Sequence, residues 1–112
     1  MGINISQNKY HNVRTEYNGR WFASKLEASH ARDLDLMRRA QDPTQKVVAV
    51  NYQYRIPVKV NGVLICHYVA DFYVMFEDGH KEIHETKGVR TAVYLIKKRL
   101  VEAIYGEKIL EF

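Results

Sequence analysis

The sequence predicts an α+β (α/β) domain built on one mixed sheet, and three observations predict it. Two long runs of strand-forming residues, Val47–Val60 and Val63–Phe76, are joined by Asn61-Gly62, and a third run over residues 80–87 follows Asp78-Gly79. Asn-Gly and Asp-Gly between alternating apolar runs are hairpin signals. An amphipathic, capped helix is expected on either side of this meander, and a short apolar run over residues 108–112 suits one more strand. The order is therefore helix, three strands, helix, strand, after an N-terminal hairpin.

Each element has its own warrant. Residues 1–12 are polar and expected to form an irregular arm, with Lys9-Tyr10-His11-Asn12 able to reach a ligand. Val13–Tyr17 and Arg20–Phe22 flank Asn18-Gly19 and read as a small hairpin, whose plainest role is a lid on the core. Ser24 is an N-cap with Glu27 three residues on, the capping-box spacing, and the helix runs to about residue 40. Leu26, His30, Leu34 and Met37 fall on one stripe with Ala31 beside it, and Glu27 borders that face. Two roles for Glu27, reciprocal cap and site carboxylate, stay open. The segment Gln41-Asp42-Pro43-Thr44 ends the helix. Pro57 marks Val47–Val60 as an edge, bulged or bent strand. Thr91 caps a second helix reaching Tyr105, with Val93, Ile96, Leu100 and Ile104 as its apolar stripe and Gly106 at C′.

At 112 residues the chain fits one domain, 1–112. A hydrophobic fraction of 46% and a charged fraction of 27% exclude a disordered chain. One cysteine, Cys66, leaves no internal disulfide and fits a reducing compartment. No apolar run approaches the roughly 18 residues of a membrane span, and the first residues lack a signal-peptide pattern, so a cytoplasmic protein without a membrane partner is expected. A net charge of +4 favours an acidic partner such as nucleic acid. Arg90, Lys97, Lys98 and Arg99 supply a basic flank close behind the acidic cluster.

That cluster is the stretch of greatest chemical interest. Asp71 sits inside the apolar run Tyr68-Val69-Ala70-Asp71-Phe72, and Glu85-Thr86-Lys87 follows the Asp78-Gly79 turn. If the two strands are antiparallel neighbours, Asp71 lies beside Glu85, and Glu85 and Lys87 share a face. Two carboxylates and an ammonium then converge, an arrangement suited to a hard divalent cation. The plain alternatives are a structural aspartate satisfied by Tyr68 or a backbone amide, and an exposed charge pair of little energetic weight. His80 and His84 share a face but lie about 13 Å apart by the strand rise, with Glu85 on the other face, so they do not form a zinc site. Trp21 and most tyrosines read as packing groups, with Tyr10 and Tyr17 the first candidates for base stacking.

Taken together, Glu27 on the first helix, Asp71 on the second core strand and the E-x-K of Glu85-Thr86-Lys87 on the third resemble the PD-(D/E)XK nuclease superfamily. Lys9-Tyr10-His11-Asn12, Ser24-Lys25-Leu26-Glu27-Ala28 and Lys87-Gly88 look like a group of small phage proteins within it. Ala70 stands where the name has proline. The resemblance implies a PD-(D/E)XK, restriction-endonuclease-like core and a Mg²⁺- or Mn²⁺-dependent endodeoxyribonuclease with no organic cofactor. It implies Asp71, Glu85 and the Thr86 carbonyl as metal ligands, Glu27 through a water or a second metal, and Lys87 as the group that orients the attacking water. Lys9, Tyr10, Arg90, Lys97 and Lys98 would meet DNA. A homodimer acting on branched DNA, as a Holliday-junction resolvase does in phage recombination or replication, is the substrate expectation. The alternatives are a non-catalytic nucleic-acid-binding module and a structural phage protein keeping the fold.

Overall fold

The turns carry the left-handed residues that the sequence marks. Asn18 and Gly19 have φ of 53° and 82°, and Asn61 and Gly62 have 51° and 79°. Positive φ at both central residues is what a two-residue hairpin turn requires, and Asn and Gly reach it at least cost. The computed structural model describes residues 4–7, 13–86 and 89–112. Its elements are β1 (Asn4–Gln7), β2 (Val13–Tyr17), β3 (Arg20–Phe22), α1 (Lys25–Met37), β4 (Val47–Val60), β5 (Val63–Phe76), β6 (Lys81–Glu85), α2 (Ala92–Tyr105) and β7 (Ile109–Glu111).

The result is a small α+β domain with a mixed four-stranded sheet in the order β4-β5-β6-β7, two helices, and a separate three-stranded sheet β1-β2-β3. β4, β5 and β6 run antiparallel, while β7 is parallel to β6 and is reached through α2. A parallel neighbour needs such a crossover. Pro57 lies on β4, an edge strand, where its missing N–H costs no ladder bond. The expectation of an irregular start is corrected in part: β1 pairs antiparallel with β2, Ile5 opposite Thr15. The β1 sequence has no alternating apolar pattern, so its place in the sheet comes from the β2 edge next to it.

Both helices are capped as expected; α1 buries most of the expected stripe with its centre turned towards Glu27, and α2 buries a different face from the one expected. Ser24 Oγ accepts from the Glu27 amide at 3.1 Å, and Thr91 Oγ1 accepts from the Tyr94 amide at 3.1 Å. Ser24→Ala is expected to lower stability by about 1 kcal/mol, read by urea denaturation. In α1 the buried residues are Glu27, Ala28, His30, Ala31 and Leu34, and Leu26 is 44% exposed. At about 100° per residue that arc is centred on Glu27, not on Leu26. In α2 the core side is Tyr94 and Val101, whereas Val93 and Ile96 are 63% and 61% exposed. Spacing locates an apolar stripe but does not say which stripe the sheet covers. Here a tyrosine anchored through its hydroxyl displaces the aliphatic set.

Two core clusters hold the domain together. Phe22, Ala28, Ala31, Leu34, Val47, Phe72, Val74 and Phe76 form one around α1. Ile56, Val58, Tyr68, Ala70, Ile83, Tyr94, Val101 and Ile109 form the other around α2. Along β5 the even-numbered residues Phe72, Val74 and Phe76 serve the α1 cluster, and the even-numbered Tyr68 and Ala70 serve the α2 cluster. β4 does the same: Val50 and Tyr52 pack on the first, Ile56 and Val58 on the second. On β6, by contrast, Ile83 joins the α2 cluster while His84 meets His30 of α1, so the two helices lie on opposite faces there. The β4–β5 ribbon must therefore turn over between these sets, at Gln53 on β4 and Asp71 on β5. Beyond the core the ribbon continues as an arm whose end exposes Val60, Val63, Leu64 and Ile65. The radius of gyration is accordingly 15.2 Å, against about 13 Å for a compact chain of this length.

Candidate active site

Asp71 and Glu85 sit where the ribbon turns. Phe72 is paired with His84, which brings residue 71 alongside residue 85 as the antiparallel expectation required. Glu85 is 1% exposed, and its Oε2 accepts from the Tyr68 hydroxyl at 2.7 Å and from the Asp71 amide at 3.3 Å. Asp71 directs Oδ2 to Thr86, accepting from the amide at 3.0 Å and the hydroxyl at 2.8 Å. The strand end is thus laced to Asp71 by its side chain as well as its backbone. Burial, and then the bond to Glu85, push the Tyr68 hydroxyl far above the usual tyrosine range, so Tyr68 serves as a permanent donor.

Glu27 enters the same region from α1. Its carboxylate is 6% exposed and accepts from Gln53 Nε2 at 3.0 Å. Burial pushes its pKa up to about 7, and the charges of Asp71 and Glu85 add to the shift. The Gln53 bond and one from the Ala23 backbone work in the other direction. The two roles foreseen for Glu27 compete for one carboxylate: the amide donates to the Ser24 cap, while the carboxylate accepts from Gln53 and from the Ala23 backbone.

The three carboxylates feel one another, but each is directed at protein donors. Among the described residues, no group of three His, Cys, Asp or Glu side chains is gathered so as to hold a metal ion. Lys87 and Gly88 lie outside the described residues, as do Lys9 and Tyr10, and the Thr86 carbonyl belongs to the peptide that leads into Lys87.

The basic flank divides. Lys97 Nζ donates to the His67 carbonyl at 3.1 Å and lines an open recess of about 250 Å³ together with Tyr68, Glu85, Thr91 and Tyr94. Arg90 and Lys98 are instead held by Glu111, whose Oε1 lies 2.8 Å from Arg90 and 3.5 Å from Lys98. The other oxygen of Glu111 accepts from the Tyr94 hydroxyl at 2.7 Å. Tyr17 donates to Asp35 at 2.9 Å and lies with the α1 cluster, and Trp21 carries the Arg14 guanidinium 4.8 Å from its ring centre.

The histidines form a ladder on the face of β6 turned away from Glu85. Glu82 accepts from His80 through Oε2 and from His84 through Oε1, at 3.0 and 2.7 Å. His84 Nδ1 is then left as the acceptor for His30 Nε2 at 2.8 Å. Burial pushes both inner rings down, His30 to about 4, so both stay neutral.

Sequence reasoning missed Gln53 and the side chain of Thr86. Asn51, Gln53 and Arg55 alternate with apolar or aromatic residues and read as an outer face, so nothing singled out Gln53. No curated protein and no solved structure matches the chain. Residues 7–112 match the model of a family described as protein of unknown function, DUF1064, and the chain belongs to that family.

Proposed function

We propose that the chain is a metal-dependent endodeoxyribonuclease of the PD-(D/E)XK type. The observation that carries this reading is that Glu27, Asp71 and Glu85, from three separate elements, lie near enough for the charges of Asp71 and Glu85 to raise the Glu27 pKa, although they are not gathered as a ligand set here. Burying like charges together is costly unless something offsets them. Burial is the main cause of the raised Glu27 pKa and the charges of Asp71 and Glu85 add to it, and a divalent cation is the group that would relieve both.

The donor set fits Mg²⁺ or Mn²⁺ in kind, because all three groups are hard carboxylate oxygens. Asp71 and Glu85 would hold the ion, with Glu27 reached through a water. When bound, such an ion neutralises phosphate charge and acidifies a coordinated water. The chain's own residues supply the rest. Tyr68 fixes Glu85 by donating to Oε2, and Thr86 fixes Asp71 by donating twice to Oδ2. Lys97, at the recess beside Glu85, would meet a flanking phosphate. Lys87 would carry a positive charge to the developing phosphorane oxygens.

The test uses supercoiled plasmid, linear duplex and a synthetic four-way junction, each with Mg²⁺, Mn²⁺ or EDTA. Cleavage in either metal and none in EDTA is expected, with the junction preferred if the branched-DNA reading holds. No cleavage of any substrate in either metal overturns the proposal. Equal cleavage of all three removes the branch preference alone.

A further inference from the structure

Gln53 has a backbone conformation that its place in the chain does not explain. Among the described residues, Asn18, Gln53 and Asn61 are the non-glycine residues with positive φ, and the two asparagines sit in hairpin turns. Gln53, at 51°, lies in the interior of β4. It stands opposite Asp71: Tyr52 pairs with Phe72 and Tyr54 with Ala70, and the residues between them are 53 and 71. A left-handed glutamine is sterically unfavourable and persists only where its surroundings enforce it.

The conformation has a geometric consequence. Tyr52 faces the α1 cluster, so strict alternation would send Gln53 to the other face, away from Glu27. Instead its amide reaches the Glu27 carboxylate on α1 at 3.0 Å. Residues held in sparsely populated backbone conformations cluster at active sites. Gln53 remains exposed, so the bond is not a device for filling the core.

We infer that Gln53 is a positioning residue, turned left-handed so that its amide crosses the ribbon and holds Glu27 against Asp71 and Glu85. This rests on the nuclease reading of the site. Without that amide the Glu27 carboxylate keeps only its bond from the Ala23 backbone, is held less firmly near the other two, and cation affinity falls.

Two variants separate the amide from the backbone. Gln53→Gly and Gln53→Ala both delete the amide, but only glycine tolerates the positive φ. The glycine variant is expected to melt about 4 °C above the alanine variant in EDTA. Both are expected to bind Mn²⁺, followed by electron paramagnetic resonance with Mn²⁺ alone, about 10-fold more weakly than the native chain. Both should lower kcat on DNA with KM unchanged. In a Glu27→Gln background the Gln53→Gly change should have no further effect on Mn²⁺ affinity, since the two residues act as one unit. Native Mn²⁺ affinity in both Gln53 variants, alongside loss of affinity in Asp71→Asn, overturns the inference and leaves the nuclease reading standing. A native chain that neither binds Mn²⁺ nor cuts DNA overturns both.

Discussion

Asp71→Asn is expected to bind a four-way junction or duplex as tightly as the native chain and to cut it at least about 100-fold more slowly. The asparagine side-chain oxygen can still accept from the Thr86 amide and hydroxyl, which bond Asp71 at 3.0 and 2.8 Å, so the strand end stays laced. What is lost is the negative charge that would face the cation. Stability should change by less than about 1 kcal/mol, because no buried donor is left unpaired. Cleavage rates in Mg²⁺, binding by fluorescence anisotropy in Ca²⁺, and urea midpoints measure the three quantities. Native turnover in this variant removes Asp71 from the site.

Glu27→Gln is expected to stabilise the protein at pH 8 by roughly 3 kcal/mol, in EDTA, while abolishing cleavage. The sign follows from the direction of the shift. The carboxyl is raised from its ordinary value of 4.5 to about 7 in the folded chain. Between those values the folded state holds the proton more tightly than the unfolded one. Stability is therefore lost as pH rises from 4.5 to 7, and the full cost is present above 7. Glutamine carries no charge to desolvate and keeps an oxygen to accept from Gln53. His30 acts in the opposite sense: its ring is pushed down from 6.5 to about 4, so stability is lost as pH falls through that range. The native chain has opposing slopes between about pH 4.5 and 6.5, and Glu27→Gln should unmask the histidine slope. Urea denaturation at pH 4.5 and 8 checks this. An equal effect of the substitution at both pH values would show that Glu27 is not held as a buried, charge-flanked carboxyl.

The legible part of this fold is the part governed by local signals. Asn18-Gly19, Asn61-Gly62, Ser24, Thr91 and Gly106 each act through a few neighbouring atoms, and each lies where the sequence marked it. The faces of α1 and α2 depend on what packs against them, so Leu26, Val93 and Ile96 were expected inside and are exposed. Asp71 and Glu85 were readable as neighbours because strand alternation and one Asp-Gly turn fix their register. Glu27 was readable only as a borderline residue, since its partners Asp71, Glu85 and Gln53 are remote in sequence. The left-handed Gln53 was not readable at all: nothing adjacent demands it, and only the third dimension supplies Glu27 as its partner.

The turning ribbon also divides the labour of alignment. Glu27 travels with the packing around α1, whereas Glu85 is tied through Tyr68 to the packing around α2. The distance between the acidic groups is thus a vernier set by two interiors. A methylene removed from Leu34, remote from any substrate, would shift one scale against the other. On the proposed metal-dependent reading, cation choice should consequently drift with substitutions deep in either half, even where every acidic side chain is kept.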